Sequence, residues 1–145
     1  MKNDRGMLRL ENQLCFRLYS ASKEIVRRYK PYLDPLGLTY TQYITMMALW
    51  EEGQLTVKEL GKRLRLDSST LTPLLKKLET AGYVARERSK TDERVVTVSL
   101  TDEGRTLHDR AMSVPPSMVA DLGIDPKLGI ELAHNLDRLL EQLEQ

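Results

Sequence analysis

The sequence predicts a single, mainly α-helical domain that contains a helix-turn-helix and one small β-hairpin. Apolar residues recur every three to four positions over most of the 145 residues, as they do in amphipathic helices. Within residues 54–80, two short helical patterns are separated by a tight turn. After Gly82 the apolar period changes to two, which is typical of paired strands. The length fits one domain, and no segment has the composition of an interdomain linker.

The N-terminal part of the sequence predicts two helices separated by a loop. The first covers residues 8–32, in which leucine, alanine and isoleucine recur at helical spacing. Pro31 and the loop at residues 34–37 are expected to end this helix. Thr39 followed by Gln42 is a capping-box pattern, so a second helix is expected to begin there.

The centre of the sequence predicts the helix-turn-helix. A second capping-box pattern, Thr56 with Glu59, begins a short helix, and a turn at residues 66–68 separates it from the next one. Pro73 is compatible only with a position in or near the first helical turn, so this next helix is expected to begin at residues 68–70. Its buried face is formed by leucines at helical spacing: Leu71, Leu74, Leu75 and Leu78.

The period-two segment predicts the β-hairpin. Residues 83–89 and 94–100 are its strands, and the polar residues 90–93 form its loop. Valine at alternate positions in the second strand gives that strand one apolar face.

The C-terminal part predicts helices that are interrupted by proline. Thr101 caps a helix whose first turn holds two acidic residues, an arrangement that the helix dipole favours. The chain is expected to bend or break at residues 114–116, which contain two consecutive prolines. A last amphipathic helix begins at residues 125–126 and is expected to end at Gln145.

The composition is that of a soluble globular protein, with 41% hydrophobic and 30% charged residues and a mean hydropathy of −0.42. No apolar run approaches the roughly 18 residues of a membrane span. The N-terminus shows no secretion signal, so a reducing cytoplasm is the expected location. The single cysteine, Cys15, excludes a disulfide within the chain and a zinc site built on several cysteines. The two distant histidines form no cluster, and neither a metal nor a cofactor is expected.

The net charge of +1 conceals an uneven distribution. Residues 54–98 carry ten Lys or Arg against six Asp or Glu, whereas residues 99–145 carry four against nine. A locally basic surface is what a polyanionic partner requires. The predicted helix-turn-helix and hairpin both lie in the basic segment, which makes nucleic acid a candidate partner.

One face of the second helix of the helix-turn-helix carries hydroxyl groups, a proline and lysine, with no acidic residue near its middle. Such side chains contact phosphates and base edges, and an arginine at a hairpin tip can enter the minor groove. Asp92 is placed to hold Arg94 in a defined orientation. A solvated basic face on an ordinary helical protein is the alternative, but the order helix, turn, helix, basic hairpin favours DNA binding. The candidate DNA contacts are Ser68, Ser69, Thr70, Thr72, Pro73, Lys76, Lys77, Arg86, Arg88, Lys90, Asp92 and Arg94.

Two segments resemble the MarR family of winged-helix regulators. Residues 92–101, DERVVTVSLT, are similar to the D-x-R-x-x-x-V-x-L-T wing signature of that family. Residues 66–79 resemble its recognition helix. The resemblance implies one domain over residues 1–145, with a winged helix-turn-helix DNA-binding lobe at about residues 54–100.

The same resemblance implies a homodimer in which the first and last helices, about residues 8–32 and 102–145, are interleaved. Such a dimer binds a pseudo-palindromic operator in double-stranded DNA. The last helix also has a large apolar stripe for so small a domain, and such stripes usually mark an interface. The stripe consists of Leu128, Leu132, Leu136, Leu139, Leu140 and Leu143.

The surroundings of Cys15 allow two interpretations. A lone cysteine in a helix is usually a small buried hydrophobe. However, Tyr19 and Tyr29 share its helical face, and a phenol that donates to the sulfur favours the thiolate, the form that attacks peroxides. Tyr19 is one turn away. Tyr29 is about 21 Å along the helix axis and could reach Cys15 only from an antiparallel second copy.

The residues around Cys15 closely resemble the organic-hydroperoxide-sensing OhrR group of the MarR family. Residues 10–22, LENQLCFRLYSAS, are similar to the N-terminal helix of the group, and residues 38–43, LTYTQY, to the start of its second helix. The similarity covers nearly the whole chain and is looser towards the C-terminus. It implies that Cys15 is the peroxide sensor and that Tyr29 and Tyr40 contact it from the other subunit. The lone cysteine resembles the one-cysteine type of the group.

The expected function is that of a DNA-binding transcriptional repressor, and not of an enzyme, which releases its operator when an organic hydroperoxide oxidises Cys15. A low-molecular-weight thiol is a further candidate partner, because it can react with the oxidised sulfur. Two alternatives stay open. A MarR regulator that binds a small aromatic ligand would respond without an oxidant, and a thiol peroxidase that uses Cys15 would leave the basic hairpin unexplained.

Overall fold

The computed structural model describes residues 4–144, which contain eight α-helices and three β-strands. The N-terminal helices are α1 (Asp4–Met7), α2 (Leu14–Leu33) and α3 (Tyr40–Glu52). The central elements are β1 (Gln54–Thr56), α4 (Val57–Leu64), α5 (Ser68–Thr80), β2 (Val84–Arg88) and β3 (Val96–Leu100). The C-terminal helices are α6 (Asp102–Ala111), α7 (Val114–Leu122) and α8 (Pro126–Leu143).

The N-terminal segment differs from the single helix predicted over residues 8–32. Helix α1 and a 3-10 turn at Leu10–Asn12 precede α2, and Gln13 has an extended backbone that separates them. Helix α2 includes Pro31 and continues to Leu33. A proline in the last turn removes only one internal hydrogen bond, so it does not end the helix as expected. Cys15 is consequently the second residue of a helix and not a mid-helix residue.

Side-chain caps begin α3, α4 and α5 at the predicted positions. Thr39 and Gln42 form both hydrogen bonds of a capping box at α3. The Thr56 hydroxyl accepts a hydrogen bond from the Glu59 N–H at the start of α4. Asp67 caps α5. Helices α4 and α5 and the turn between them form the predicted helix-turn-helix.

The predicted hairpin belongs to a three-stranded antiparallel sheet with the order β1-β3-β2. Strands β2 and β3 pair along their length, beginning with Val84 opposite Leu100. Strand β1, which the sequence pattern did not predict, pairs with β3 through Leu55 opposite Val98. Three residues between two helices are too few to show an alternating pattern.

The hydrophobic core lies where α3, α4 and α5 meet the sheet and α6. Its fully buried side chains include Leu49, Leu60, Leu71, Leu75, Leu78 and Val98. Trp50 donates its Nε1–H to the Gly104 carbonyl at 2.8 Å. The Thr101 hydroxyl accepts from the Gly104 N–H at 3.0 Å and donates to the Gly82 carbonyl at 2.5 Å. These bonds fix the start of α6 against both α3 and the turn that precedes β2.

The C-terminal helices break where the prolines predict. Helices α6 and α7 are separate, and Pro115 lies in the first turn of α7. Helix α8 is capped by Asp125, and its predicted last residue, Gln145, lies outside the described residues. None of the described residues of α8 is buried. Its large exposed side chains include Leu128, Ile130, Leu132, Leu136 and Leu143.

Two further findings apply to residues 4–144 as a whole. No helix in this range is both long enough and apolar enough to cross a membrane. Within the same range, no three side chains of His, Cys, Asp or Glu are grouped so that they could hold a metal ion.

Candidate DNA-binding surface and redox site

Helix α5 begins with an acidic N-terminal cap. The Asp67 carboxylate accepts hydrogen bonds from the Ser69 hydroxyl and from the Thr70 N–H, both at 2.8 Å. These bonds, that of Ser69 foremost, lower the pKa of Asp67, so a negative charge lies at the positive end of the helix. The cap fixes the first turn of α5.

The outward face of α5 carries the helical part of the predicted DNA contacts. The leucines on the other face, among them Leu71 and Leu75, are buried in the core. Pro73 is the sixth residue of the helix, just beyond the first turn, and has no N–H to donate to the Ser69 carbonyl. All of the predicted contacts on this helix are exposed: Ser68, Ser69, Thr70, Thr72, Pro73, Lys76 and Lys77.

The hairpin of β2 and β3, with its loop at residues 89–95, forms the wing. Arg88 donates to the Glu93 carbonyl at 2.9 Å and so braces the loop. Asp92 Oδ1 accepts from the Arg94 backbone N–H at 3.1 Å and lies 3.7 Å from Arg94 Nε. The Arg94 side chain is 95% exposed, and Lys90 is exposed as well. The wing therefore presents an exposed guanidinium on a backbone that its own side chains hold in place.

Arg86 has different surroundings from Arg94. Its Nη2 lies 3.1 Å from Glu79 Oε1, and its side chain is only 24% exposed. The hydrogen bond from the Arg86 side chain is the main reason why the pKa of Glu79 is lowered. The charge of Arg86 is thus engaged within the protein.

A groove of about 460 Å³ runs between α4, α5 and the wing. Thr56 and Thr72 contribute hydroxyl groups to its wall. Lys58 was not among the predicted contacts, because a lysine in the first turn of a short helix is not a specific signal. The cationic side chains that line the groove are Lys58, Arg86, Arg88 and Arg94.

Cys15 lies at the N-terminal end of α2, and its thiol is exposed. Tyr19, one turn further along, is also exposed, and Lys23 Nζ lies 5.8 Å from the centre of its ring. Tyr29 is on the same helix, about 21 Å from Cys15 along the axis. Within one chain, the length of α2 therefore separates Cys15 from Tyr29.

Tyr29 and Tyr40 are brought together within one chain, with ring centroids 4.9 Å apart. Tyr43, which the sequence pattern assigned only to a helix, completes the cluster at 5.8 Å from Tyr29 and 6.4 Å from Tyr40. Burial, followed by the neighbouring tyrosines, raises the pKa of Tyr29 and of Tyr43. The phenols of Tyr29 and Tyr43 therefore remain protonated hydrogen-bond donors at neutral pH.

A pocket of about 240 Å³ adjoins the tyrosine cluster on the side of Tyr43. Its lining includes Trp50 and His108, whose rings meet edge to face with centroids 5.4 Å apart. Met47 and Met112 form part of the rim. The pocket thus has an aromatic interior and polarizable walls.

Comparisons with known proteins agree in placing the chain among transcriptional regulators. The sequence matches the transcriptional regulator SarA/Rot family over residues 27–111. It is 45% identical to the organic hydroperoxide resistance transcriptional regulator of Bacillus subtilis, over 100% of this chain and 99% of that protein.

Solved structures of AbfR, a protein of Staphylococcus epidermidis, are similar to the whole fold. Overoxidised AbfR bound to DNA has a TM-score of 0.78 and 34% identity, with 97% of this chain and 99% of that chain covered. Reduced AbfR bound to DNA has a TM-score of 0.76 and 33% identity, with 99% and 100% covered.

These matches confirm the fold class that the helix-turn-helix and hairpin patterns predict, and they confirm the resemblance stated for residues 10–22, 66–79 and 92–101. They extend over both the central lobe and the terminal helices. The chain belongs to the MarR family of winged-helix, DNA-binding transcriptional regulators, in the group of the organic hydroperoxide resistance regulators.

Proposed function

We propose that this regulator represses transcription by holding operator DNA as a homodimer, and that it releases the DNA when an organic hydroperoxide oxidises Cys15. The observation that carries the proposal is the contact between Tyr29 and Tyr40, which lies at the opposite end of α2 from the exposed Cys15. The Bacillus subtilis relative is named for organic hydroperoxide resistance, and AbfR has a reduced and an overoxidised form on DNA. The name of the first protein and the two redox forms of the second support a redox-linked regulator.

The DNA contact is proposed for the outward face of α5 and the wing. The exposed hydroxyl groups and lysines of α5 suit a major groove, and the exposed guanidinium of Arg94 suits the neighbouring minor groove. The cationic groove between α4, α5 and the wing lies where the intervening sugar-phosphate strand would pass. The residues proposed to contact DNA are therefore those of α5, the wing tip and the groove, with the exception of Arg86, which is paired with Glu79.

The dimer is proposed because α8 and the start of α2 leave apolar side chains without cover. Leu14 and Leu136 are 63% and 40% exposed, and no described residue of α8 is buried. Exposed apolar side chains of this number and size mark an interface. A two-fold partner whose α2 runs antiparallel would bring its Tyr29 and Tyr40 towards Cys15, which one chain alone does not do.

The proposed reaction is a two-electron oxidation of the Cys15 sulfur. The thiolate attacks one oxygen of the hydroperoxide, the O–O bond breaks, and the departing alkoxide takes a proton to become an alcohol. Cys15 is left as a sulfenic acid. A small thiol then forms a mixed disulfide with it and releases water. Each product is larger than the thiol and has different hydrogen bonds, so it disturbs the contacts with Tyr29 and Tyr40.

A small change at the dimer interface is sufficient for release. The two copies of α5 have to match successive major grooves, which lie about 34–36 Å apart. Rotation of one subunit prevents both from fitting at once. A thousandfold loss of affinity corresponds to only about 4 kcal/mol.

The decisive experiment is an operator titration, with a duplex that the protein itself selects from a random library. Binding is measured before and after one equivalent of cumene hydroperoxide, with and without a small thiol, and intact mass identifies the form of Cys15 in each sample. The parent is expected to lose operator affinity as the oxidised mass appears. Cys15→Ser is expected to bind the operator and to keep it after the same treatment.

Three outcomes would contradict the proposal. Release from Cys15→Ser by hydroperoxide would place the sensor elsewhere. Retention of DNA by the parent in every oxidised form of Cys15 would remove the link between oxidation and release. Consumption of many equivalents of hydroperoxide in excess thiol would indicate a thiol peroxidase.

A second candidate function is response to a small aromatic ligand, which the pocket between Tyr43, Trp50 and His108 favours. Its aromatic lining and its size suit a single ring. Release of the operator by an aromatic acid under anaerobic, reducing conditions would support this function. The same release by Cys15→Ser would separate it from thiol oxidation.

A further inference from the structure

An ion pair joins the C-terminal end of α5 to the first strand of the wing. Arg86 Nη2 lies 3.1 Å from Glu79 Oε1, and the Arg86 backbone N–H donates to Glu79 Oε2 at 3.3 Å. The ion pair spans the turn at Gly82, whose φ of 88° is in the left-handed region that favours glycine. Helix and wing are thus connected at two points, by the turn itself and by the ion pair.

The orientation of Arg86 depends on Glu79. The Arg86 side chain is 24% exposed, whereas that of Arg94 is 95% exposed. Arg86 Nε is buried and has no hydrogen-bond partner among the described residues. Among the described residues, the hydrogen-bond partner of the guanidinium is Glu79, which binds Nη2 and holds the half-buried charge in place. Arg86 therefore faces Glu79 and is not free to turn towards a phosphate.

The register of the sheet connects Arg86 to the tip of the wing. Arg86 is opposite Val98, which is fully buried and anchors β3 in the core. From there the two strands extend to Arg88 opposite Val96, and Arg94 lies beyond them in the loop. Because Arg94 is further from the anchor than Arg86, a small rotation at Arg86 moves Arg94 by more.

We propose that Glu79 and Arg86 are positioning residues, which set the angle between α5 and the wing so that Arg94 reaches the minor groove beside the major groove entered by α5. The inference rests on the proposed DNA binding and gives Arg86 a role other than the direct DNA contact that its charge predicted. An arginine reads a narrow minor groove only when it is delivered to it. The ion pair therefore acts on operator affinity through Arg94.

A double-mutant cycle on operator binding tests this role. In the parent and in Glu87→Gln, Arg94→Ala is expected to weaken binding about 5- to 150-fold. In Glu79→Gln, the same change is expected to weaken binding less than about 2-fold, because Arg94 no longer reaches its groove. Glu87 is an exposed carboxylate on the same strand as Arg86, so Glu87→Gln alters the net charge equally and is the matched control.

A loss of folding alone gives a different result. If Glu79→Gln only lowered the folded fraction, all operator affinities would fall by one factor and Arg94→Ala would keep its full effect. Arg86→Met provides a second variant, because it keeps an unbranched, flexible side chain but has no charge to pair with Glu79. It is expected to remove the contribution of Arg94 as Glu79→Gln does. Circular dichroism and sedimentation of each variant establish its fold and its oligomeric state.

The outcomes separate the positioning role from the proposed function. An equal effect of Arg94→Ala in the parent and in Glu79→Gln would overturn the positioning role and leave DNA binding by the wing intact. A full contribution of Arg94 in Arg86→Met, in which the ion pair is absent, would overturn it as well. Unchanged binding by Arg94→Ala in the parent would remove the wing contact from the proposed function, and the positioning role with it.

Discussion

The rings of Tyr29 and Tyr40 are in contact within a single chain, with centroids 4.9 Å apart and ring planes tilted by 50°. Cys15 is the second residue of the helix that carries Tyr29, and the two lie about 21 Å apart along its axis. One chain therefore holds a cysteine at one end of α2 and a pair of phenols at the other. A redox site that combines them requires two chains.

Helix α8 is expected to hold the dimer together through its leucine stripe. Leu136→Lys removes an apolar side chain whose burial contributes about 1.5–3 kcal/mol, and it places a charge from each chain in the interface. Dimerisation should therefore weaken by at least about 100-fold. His134→Lys adds the same side chain to the opposite face of α8 and serves as the control. Sedimentation at several concentrations distinguishes them. A parent that sediments as a monomer at all concentrations would contradict both the dimer and the cross-subunit site.

Arg94 is expected to contribute directly to operator binding. Its side chain is 95% exposed, so Arg94→Ala removes no contact that the fold needs. Operator affinity should fall by about 1–3 kcal/mol at fixed salt. Lys127→Ala, which removes a charge from α8, is the control for net charge. If both variants bind the operator as tightly as the parent, the wing makes no contact of consequence.

Gly104 is expected to tolerate no side chain. A Cβ at this position would lie 2.1 Å from the Tyr83 carbonyl oxygen, which is itself fixed by the Thr101 N–H at 3.1 Å. Gly104→Ala should therefore lower the free energy of unfolding by about 3 kcal/mol. At Gly129 a Cβ would meet nothing closer than 3.8 Å, so Gly129→Ala should be neutral or slightly stabilising. Urea unfolding at one protomer concentration compares the two.

The phenols of Tyr29 and Tyr43 are expected to make the fold sensitive to high pH. The pKa of Tyr29 and of Tyr43 is raised above the usual value of 10.0, chiefly by burial. The unfolded chain loses these protons first, so stability should fall as the pH rises above about 10 towards the pKa of the folded state. Tyr29→Phe and Tyr43→Phe should each remove one phenol from the late part of an absorbance titration. They should also reduce the loss of stability above pH 10. Ionisation of both phenols together with the exposed tyrosines would contradict this.

The helix-turn-helix and the wing could be predicted from sequence because their signals are local. Capping residues such as Thr39 and Thr56 lie next to the helices that they begin, and the valines of β3 alternate within five residues. The start of α2 could not be predicted in this way. Gln13 interrupts the helical pattern by donating its side chain to the carbonyls of Met7 and Arg9 at 2.6 and 2.9 Å, and apolar spacing carries no information on such bonds.

The sequence predicted individual residues of the candidate site but not the contacts between them. Exposure of the charged residues on α5 follows from the leucine spacing, which fixes the buried face. The ion pair of Arg86 with Glu79 depends on the geometry of the turn at Gly82, which no local pattern encodes. The positive charge of Arg86 was therefore the only basis for predicting that it contacts DNA. The contact of Tyr43 with Tyr29 depends on the packing of α3 against α2, which no local pattern encodes.

The activation of Cys15 by the partner subunit is expected to depend on which chain carries Tyr29. A heterodimer with Cys15→Ser on one chain and Tyr29→Phe on the other retains one thiol, and that thiol faces an intact Tyr29. Its oxidation by cumene hydroperoxide should proceed at the rate of the parent. With both substitutions on the same chain, the remaining thiol faces a phenylalanine. Its oxidation should slow about tenfold, because a donor that stabilises the thiolate is lost.

Both heterodimers contain the same substitutions and the same single thiol, so they differ only in arrangement across the interface. Differences in folding or in net composition therefore cancel between them. The rate is measured as the appearance of the oxidised mass of the chain that retains Cys15, at one hydroperoxide concentration. The Cys15→Ser homodimer gives the background. Equal rates in the two arrangements would show that Tyr29 does not act across the interface, whether or not Cys15 is the sensor. A faster reaction with the substitutions on separate chains would assign the activating phenol to the partner.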